Sequence, residues 1–212
     1  MKKGFTLAEV LITLAVIGIV ASMTIPGLMQ STNNEELKVA WRKKFAEISQ
    51  IQLKLMTNNE IPFTDSEDIY NIFKTNLNVM NSSTTKSLWH ADNKWFNIYG
   101  EPSTSNLNYT NSFVLSDGSY IVRILNQPCS SSSYTYYAGG TYWCSQFLVD
   151  VNGAKGPNKT GSDIFGLEIR NDKVYAFGGQ GSTISGANCG ATAHATGSGS
   201  ECSAKALQGI AY

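Results

Sequence analysis

The sequence predicts an α+β fold: a long N-terminal helix, apolar in its first half and amphipathic in its second, packed on an antiparallel β-sheet. Three observations carry this expectation. Residues 5–25 are apolar apart from Glu9 and a few small hydroxyl residues. From Glu35 to Leu55 apolar residues return at three- and four-residue spacing, the signature of one buried helix face. Beyond residue 112 the chain breaks into short β-rich runs separated by turn signals at Asp117-Gly118 and Asn171-Asp172.

The first stretch is Gly4 to Gln30, "GFTLAEVLITLAVIGIVASMTIPGLMQ". At about 1.5 Å per residue the apolar part spans about 30 Å as a helix, enough to cross a bilayer core. Lys2 and Lys3 precede it and belong on the cytoplasmic side, which puts the following domain across the membrane. A removable secretory signal is one reading, but the apolar run is long for it and "VASM" is a poor cleavage site. A plain signal anchor fits the length and charge, yet it gives no reason for Glu9. A charged side chain at membrane depth costs on the order of 3 kcal/mol even on lenient scales.

A third reading accounts for that residue. The stretch resembles the class III signal of type IV prepilins and type II secretion pseudopilins. A short basic leader ends in Gly4, Phe5 follows, Thr6-Leu7 comes next, Glu9 is fifth from the expected cut, and an apolar run leads to Pro26. The resemblance implies cleavage between Gly4 and Phe5 by a prepilin peptidase, with N-methylation of the new N-terminus at Phe5. The α-amino group so created has an ordinary pKa near 8 and is cationic. Glu9 of one subunit then pairs with Phe5 of the next, setting the axial register of helices that could otherwise slide. Pairing also lowers the cost of a carboxylate in hydrocarbon. The plainer alternative is a protonated, idle Glu9.

Pro26 and Gly27 interrupt the helix without ending it, because proline removes one backbone bond and clashes with the preceding turn. In assembled pilins the helix loosens near the matching proline; an ordinary boundary at the membrane surface is the alternative. Leu37, Trp41, Phe45, Ile48, Gln52 and Leu55 form one face of the second half, with only Gln52 polar. The segments expected are a leader 1–4, a membrane or filament-core helix 5–26, an amphipathic helix 27–57 and a β-rich head 58–212. Within the head, "SEDIYNIFKTNL" reads as a short amphipathic helix with Ser66 as its N-cap. Trp89, Trp95, Phe96 and Tyr99 read as packing residues in an irregular connection. The hairpin "SFVLSDGSYIVRIL", the run "YWCSQFLVDVNG" and a pair within "DIFGLEIRNDKVYAFGG" make a sheet of four or five strands. "GGQGSTISGANCGATAHATGSGSEC" is too small and polar for a core and reads as a long surface loop.

Four cysteines lie in the half expected outside the cytoplasm, which suggests disulfides. Of the three pairings, the local ones, Cys129–Cys144 and Cys189–Cys202, are favoured; the second matches a pilin habit of pinning a C-terminal loop. Zinc is disfavoured by the lack of C-x-x-C and the isolation of His90 and His194. In "DVNGAKGPNKTGSD", Asp150, Asn152 and Asp163 are candidate calcium ligands, a hard oxygen set in a glycine-rich loop. The EF-hand pattern fails at Ala154 and lacks a closing glutamate. The competing reading is a turn whose Asp and Asn side chains bond their own backbone. Some pseudopilins carry a structural calcium near this end, but no cofactor is required by the reading.

The composition narrows the function class. Lys plus Arg and Asp plus Glu number 16 each, and loss of "MKKG" would leave the chain slightly acidic, so general nucleic-acid binding is not expected. There is no phosphate-loop G-K-[ST] and no G-x-S-x-G, and two isolated histidines do not make a hydrolytic triad, so no enzyme is expected. The resemblance implies a filament subunit held in a bacterial inner membrane and then polymerised through its helix. Its expected partners are prepilin peptidase, an inner-membrane assembly platform, a cytoplasmic ATPase, membrane lipid before assembly and copies of itself. A minor pilin, adhesin or DNA-uptake tip protein, or a non-polymerising signal-anchored binding domain, are the alternatives.

Overall fold

A computed structural model of the chain describes residues 4, 6–58, 66–84, 88, 95–101, 111–126, 143–184, 189, 199–210 and 212. Two compact units emerge, Met1–Glu36 and Leu37–Tyr212. Helix α1, Leu7–Thr57, contributes to both and runs through Pro26.

The helix of the first unit carries its apolar side chains at the surface. Leu7, Leu11, Ile12, Ile17, Met23 and Leu28 are all exposed. The hydroxyls in this stretch turn back on the helix. Thr13 donates to the Val10 carbonyl at 2.9 Å, Ser22 to Ile19 at 2.8 Å, Thr24 to Val20 at 3.0 Å and Thr32 to Leu28 at 2.9 Å. Each hydroxyl is therefore satisfied locally, the condition for lying in hydrocarbon.

The second unit is built on a six-stranded antiparallel sheet in the order β1-β2-β3-β4-β5-β6, each strand beside its sequence neighbour. The strands are β1 (Val79–Ser83), β2 (Ser112–Leu115), β3 (Tyr120–Asn126), β4 (Trp143–Asp150), β5 (Ile164–Arg170) and β6 (Val174–Ala176). Helix α2, Ser66–Asn76, precedes the sheet; a 3-10 turn, Ser200–Cys202, and helix α3, Ser203–Gln208, follow it. Alternation along the strands sends Phe147, Val149, Phe165, Leu167 and Ile169 to one face. There they meet Trp41, Ile48, Ile51 and Leu55 of α1 and Ile69, Phe73 and Leu77 of α2. The Trp41 ring stacks on Phe165 at 5.0 Å, and its Nε1 donates to the Ser203 carbonyl at 2.9 Å. The opposite face carries a smaller core of Trp95, Val122, Leu148, Ile164 and Phe177.

The predicted α+β architecture is thus present, with three differences in detail. The sheet has six strands rather than four or five, because β1 lies in a stretch to which the sequence assigned no element. Its sequence, Val-Met-Asn-Ser-Ser, has weak strand propensity, and pairing with β2 supplies what propensity does not. The stretch read as a surface loop is only partly superficial, since Cys189, Ser200 and Cys202 are buried and the 3-10 turn begins within it. Finally, α1 buries Lys44 and Ile51 beside the expected face. Trp95 packs as expected, whereas Trp89, His90 and His194 lie outside the described residues.

Candidate functional site

Thr6 is the residue before the first helical position, and both its main chain and its side chain converge on Glu9. The Thr6 amide and hydroxyl each donate to Glu9 Oε2 at 2.8 Å, and the Glu9 amide donates back to Thr6 Oγ1 at 3.3 Å. This is a capping box: Thr6 satisfies an otherwise open amide of the first turn, and Glu9 returns the favour three residues on. It also explains why α1 starts at Leu7. Glu9 Oε1 takes no hydrogen bond among the described residues. One carboxylate oxygen is therefore held by the chain itself and the other is open to an external donor. Sequence reasoning singled out Glu9 but gave Thr6 no role. The signal was present, since Thr6-x-x-Glu9 before an apolar run is the capping-box pattern. Gly4 is exposed, and its expected scission partner Phe5 lies outside the described residues. Pro26 is an exposed residue of the same helix and makes no part of the Thr6–Glu9 pair.

The cysteines form a second group. Cys189 and Cys202 are joined by a disulfide, with a Cα–Cα distance of 5.0 Å. Cys144 is also disulfide-bonded, and Cys129, its expected partner, lies outside the described residues.

The aspartate loop is the third. Asp150 and Asp163 are both fully buried. Asp150 Oδ1 accepts from the amides of Asn152 at 3.1 Å and Gly153 at 2.8 Å. Asp163 accepts from the amides of Asn158 at 2.7 Å and Lys159 at 2.6 Å. Burial pushes the Asp163 carboxyl above the ordinary carboxylate range, against the pull of those amides. The Asn152 amide nitrogen donates to the Gly156 carbonyl at 3.0 Å, while its buried Oδ1 has no partner. Among the described residues no three His, Cys, Asp or Glu side chains gather as a metal would require. Both aspartates accept bonds from backbone amides of their own loop, as in an Asx-type turn.

Comparison with known proteins gives one match. Residues 1–25 fit the family described as the prokaryotic N-terminal methylation motif. The chain carries the class III prepilin signal of type IV pilins and pseudopilins. That signal implies processing by prepilin peptidase and filament assembly. The prepilin signal coincides with a helix long and apolar enough to cross a membrane, which is consistent with membrane anchoring. No curated protein and no solved structure matches the chain.

Proposed function

We propose that the chain is a structural subunit of a type IV pilus-like or type II secretion pseudopilus filament. Prepilin peptidase trims it between Gly4 and Phe5, and the new N-terminus at Phe5 is methylated. Before assembly it rests in the inner membrane with residues 58–212 outside the cytoplasm. An assembly platform and a cytoplasmic ATPase then draw it into a fibre through residues 5–57. The observation that carries this reading is Glu9, the one charge in an apolar helix inside the matched motif, with Oε2 held by Thr6 and Oε1 open. An ammonium from the neighbouring subunit's N-terminus is the donor that completes it, and in a low-dielectric setting such a charge-assisted bond is strong.

For the aspartate loop we take the turn reading over a structural calcium, because the amide bonds to Asp150 and Asp163 close the loop without an ion. The decisive test of the filament reading is mass spectrometry of N-terminal peptides from protein in its native envelope. A mature chain starting at N-methylated Phe5 is expected. A chain that still starts at Met1, or starts after Ala21, removes the reading.

A further inference from the structure

Asn152-Gly153 is the sole Asn-Gly step in the sequence. A glycine has no side chain to hinder the approach of its amide nitrogen to the carboxamide before it, so such a step is the readiest to deamidate. This one lies in the turn after β4, flanked in the chain by the buried carboxylates of Asp150 and Asp163. The Gly153 amide donates to Asp150 Oδ1 at 2.8 Å, and the Asn152 amide donates to the same oxygen at 3.1 Å. The Asn152 side chain is held as well. Its Nδ2 donates to the Gly156 carbonyl at 3.0 Å, and a side-chain hydrogen bond links it to the Asp163 carboxyl. Its Oδ1 is buried and meets no donor. Gly153 is itself buried, with φ at +65°, and a Cβ on it would fall 2.1 Å from the Gly118 carbonyl oxygen at the tip of the β2–β3 hairpin. Its backbone is thus wedged against that hairpin.

Deamidation begins when the glycine amide nitrogen loses its proton to hydroxide and attacks the asparagine Cγ. The N–Cγ bond forms, the Cγ–Nδ2 bond breaks, and Nδ2 leaves as ammonia after taking a proton from water. Water then opens the cyclic imide at either carbonyl, leaving aspartate or isoaspartate. The folded loop opposes each part of the first step. The Gly153 amide proton is bonded to a buried carboxylate, and its loss would set an amide anion against that charge. Negative charge developing on Asn152 Oδ1 finds no donor to stabilise it. The wedge at Gly118 keeps the Gly153 nitrogen from swinging toward Cγ.

We propose that Asn152 is a latent deamidation site, and that the Asp150 carboxylate keeps it closed for as long as the loop is folded. In a copy whose loop opens, the reaction proceeds and does not reverse. Its product sets a third carboxylate where Asn152 bonded the Asp163 carboxyl, and it removes the donor to the Gly156 carbonyl. Like charges among desolvated groups repel, so the loop does not seat again. The same loop carries a bridge to a second segment: the Phe96 amide donates to the Asn158 carbonyl at 2.8 Å, and the Thr160 amide donates to the Phe96 carbonyl at 2.9 Å. One chemical event at Asn152 therefore marks a chain whose loop has opened and loosens what the loop holds. This inference stands apart from the filament reading.

The test incubates the full chain in detergent micelles in mildly alkaline buffer with EDTA. Peptide mass spectrometry reads conversion at Asn152 and, as a reference in the same tube, at Asn81, which precedes Ser82 in β1. The native wild type should convert at Asn152 about tenfold more slowly than the same chain in urea, since reaction waits for local opening. Asp150→Asn keeps the size of the side chain and removes the charge that strengthens its bond to the Gly153 amide, so conversion at Asn152 should rise about tenfold while Asn81 keeps its rate. If that variant does not fold, hydrogen exchange at the wild-type Gly153 amide takes its place and should be slow. Asn152→Asp, the product itself, should speed hydrogen exchange across the loop. The proposal is overturned if native and urea-treated wild type convert alike, or if folded Asp150→Asn leaves the Asn152 rate unchanged or raises Asn81 equally. Exchange at Gly153 as fast as in an unfolded chain, or a loop in Asn152→Asp as protected as in wild type, overturns it too.

Discussion

Replacing Gly166 by alanine should cost about 3 kcal/mol, and the cost should vanish when Phe177 is also replaced. An ideal Cβ on Gly166 falls 2.0, 2.4 and 2.7 Å from three carbons of the Phe177 ring, far inside van der Waals contact. The conflict cannot be relieved by moving the backbone, because Gly166 is bonded on both sides, through its carbonyl to the Phe177 amide and through its amide to Ser203 Oγ. The ring must therefore leave the smaller core, where it is 3% exposed. Losing a buried phenylalanine costs about 3 to 5 kcal/mol, and Phe177→Ala alone should fall at the lower end, since the ring belongs to the smaller of the two cores. If the two single changes remove the same ring, the double variant should lose about 3 kcal/mol rather than about 6, a coupling of about 3 kcal/mol. For a domain of this size each single change should lower the midpoint by roughly 6 to 12 °C. Guanidinium and thermal unfolding of the detergent-solubilised chain, followed by tryptophan fluorescence, measure all four proteins. Additive losses, or a Gly166→Ala protein within about 1 kcal/mol of wild type, would refute the packing argument.

The other predictions concern the helix and the loops. Trp41→Phe keeps an aromatic ring near Phe165 but removes the buried Nε1–H bond to the Ser203 carbonyl, so it should destabilise by about 1 to 3 kcal/mol, read in the same unfolding assay. Glu9→Leu should abolish filament recovery by electron microscopy while leaving the head's unfolding midpoint unchanged; normal filaments from that strain would sink the pairing role. Thr6→Val loses the hydroxyl half of the capping box and should lower filament yield less than Glu9→Leu, with Thr6→Ser close to wild type. Chelation by EDTA, or addition of calcium, should shift the midpoint by less than about 1 °C if the aspartate loop is self-closed; a larger calcium-dependent rise would assign the loop to an ion.

Much of the architecture was legible because it rests on local signals. The apolar run, the three-four spacing from Leu37 to Leu55 and the Asp117-Gly118 hairpin each declare themselves within one continuous stretch of sequence. What escaped was decided by long-range partners. Strand β1 is a polar stretch that becomes a strand only because β2 offers it an edge. Lys44 is not among the residues of the predicted buried face, yet it is 4% exposed, bonded to Glu47 at 2.7 Å and to Asp117 at the hairpin tip at 2.9 Å. Gln52, the polar exception on the buried face, donates to the carbonyl of Arg170 where β5 ends. Phe177 was hidden by the glycines that follow it, since composition reports the average of a segment and not which residue points inward.

The Lys44–Asp117 pair gives the pH dependence that follows from such a hidden partner. Burial alone would raise the Asp117 carboxyl, but hydrogen bonds from the Ser119 hydroxyl, Lys44 and the Ser119 amide, with the Lys44 charge, outweigh it and hold the pKa at about 2. A carboxyl depressed on folding stabilises the native state fully above its unfolded pKa and loses that contribution as pH falls through the folded one. The window is therefore from about pH 4 down to about pH 2. The full linkage would exceed 2 kcal/mol, but the Asp117 side chain is 40% exposed and screened by water, so about 1 kcal/mol is the expected contribution. Asp117→Asn should remove that slope, and at pH 7 it should cost more than the slope alone implies, because Lys44 keeps its charge in a buried place with only Glu47 opposite. Unfolding midpoints of wild type and Asp117→Asn at pH 7, 4 and 2.5 separate the two contributions. If the gap between the proteins does not narrow toward pH 2.5, the hairpin tip is not held to α1 by charge.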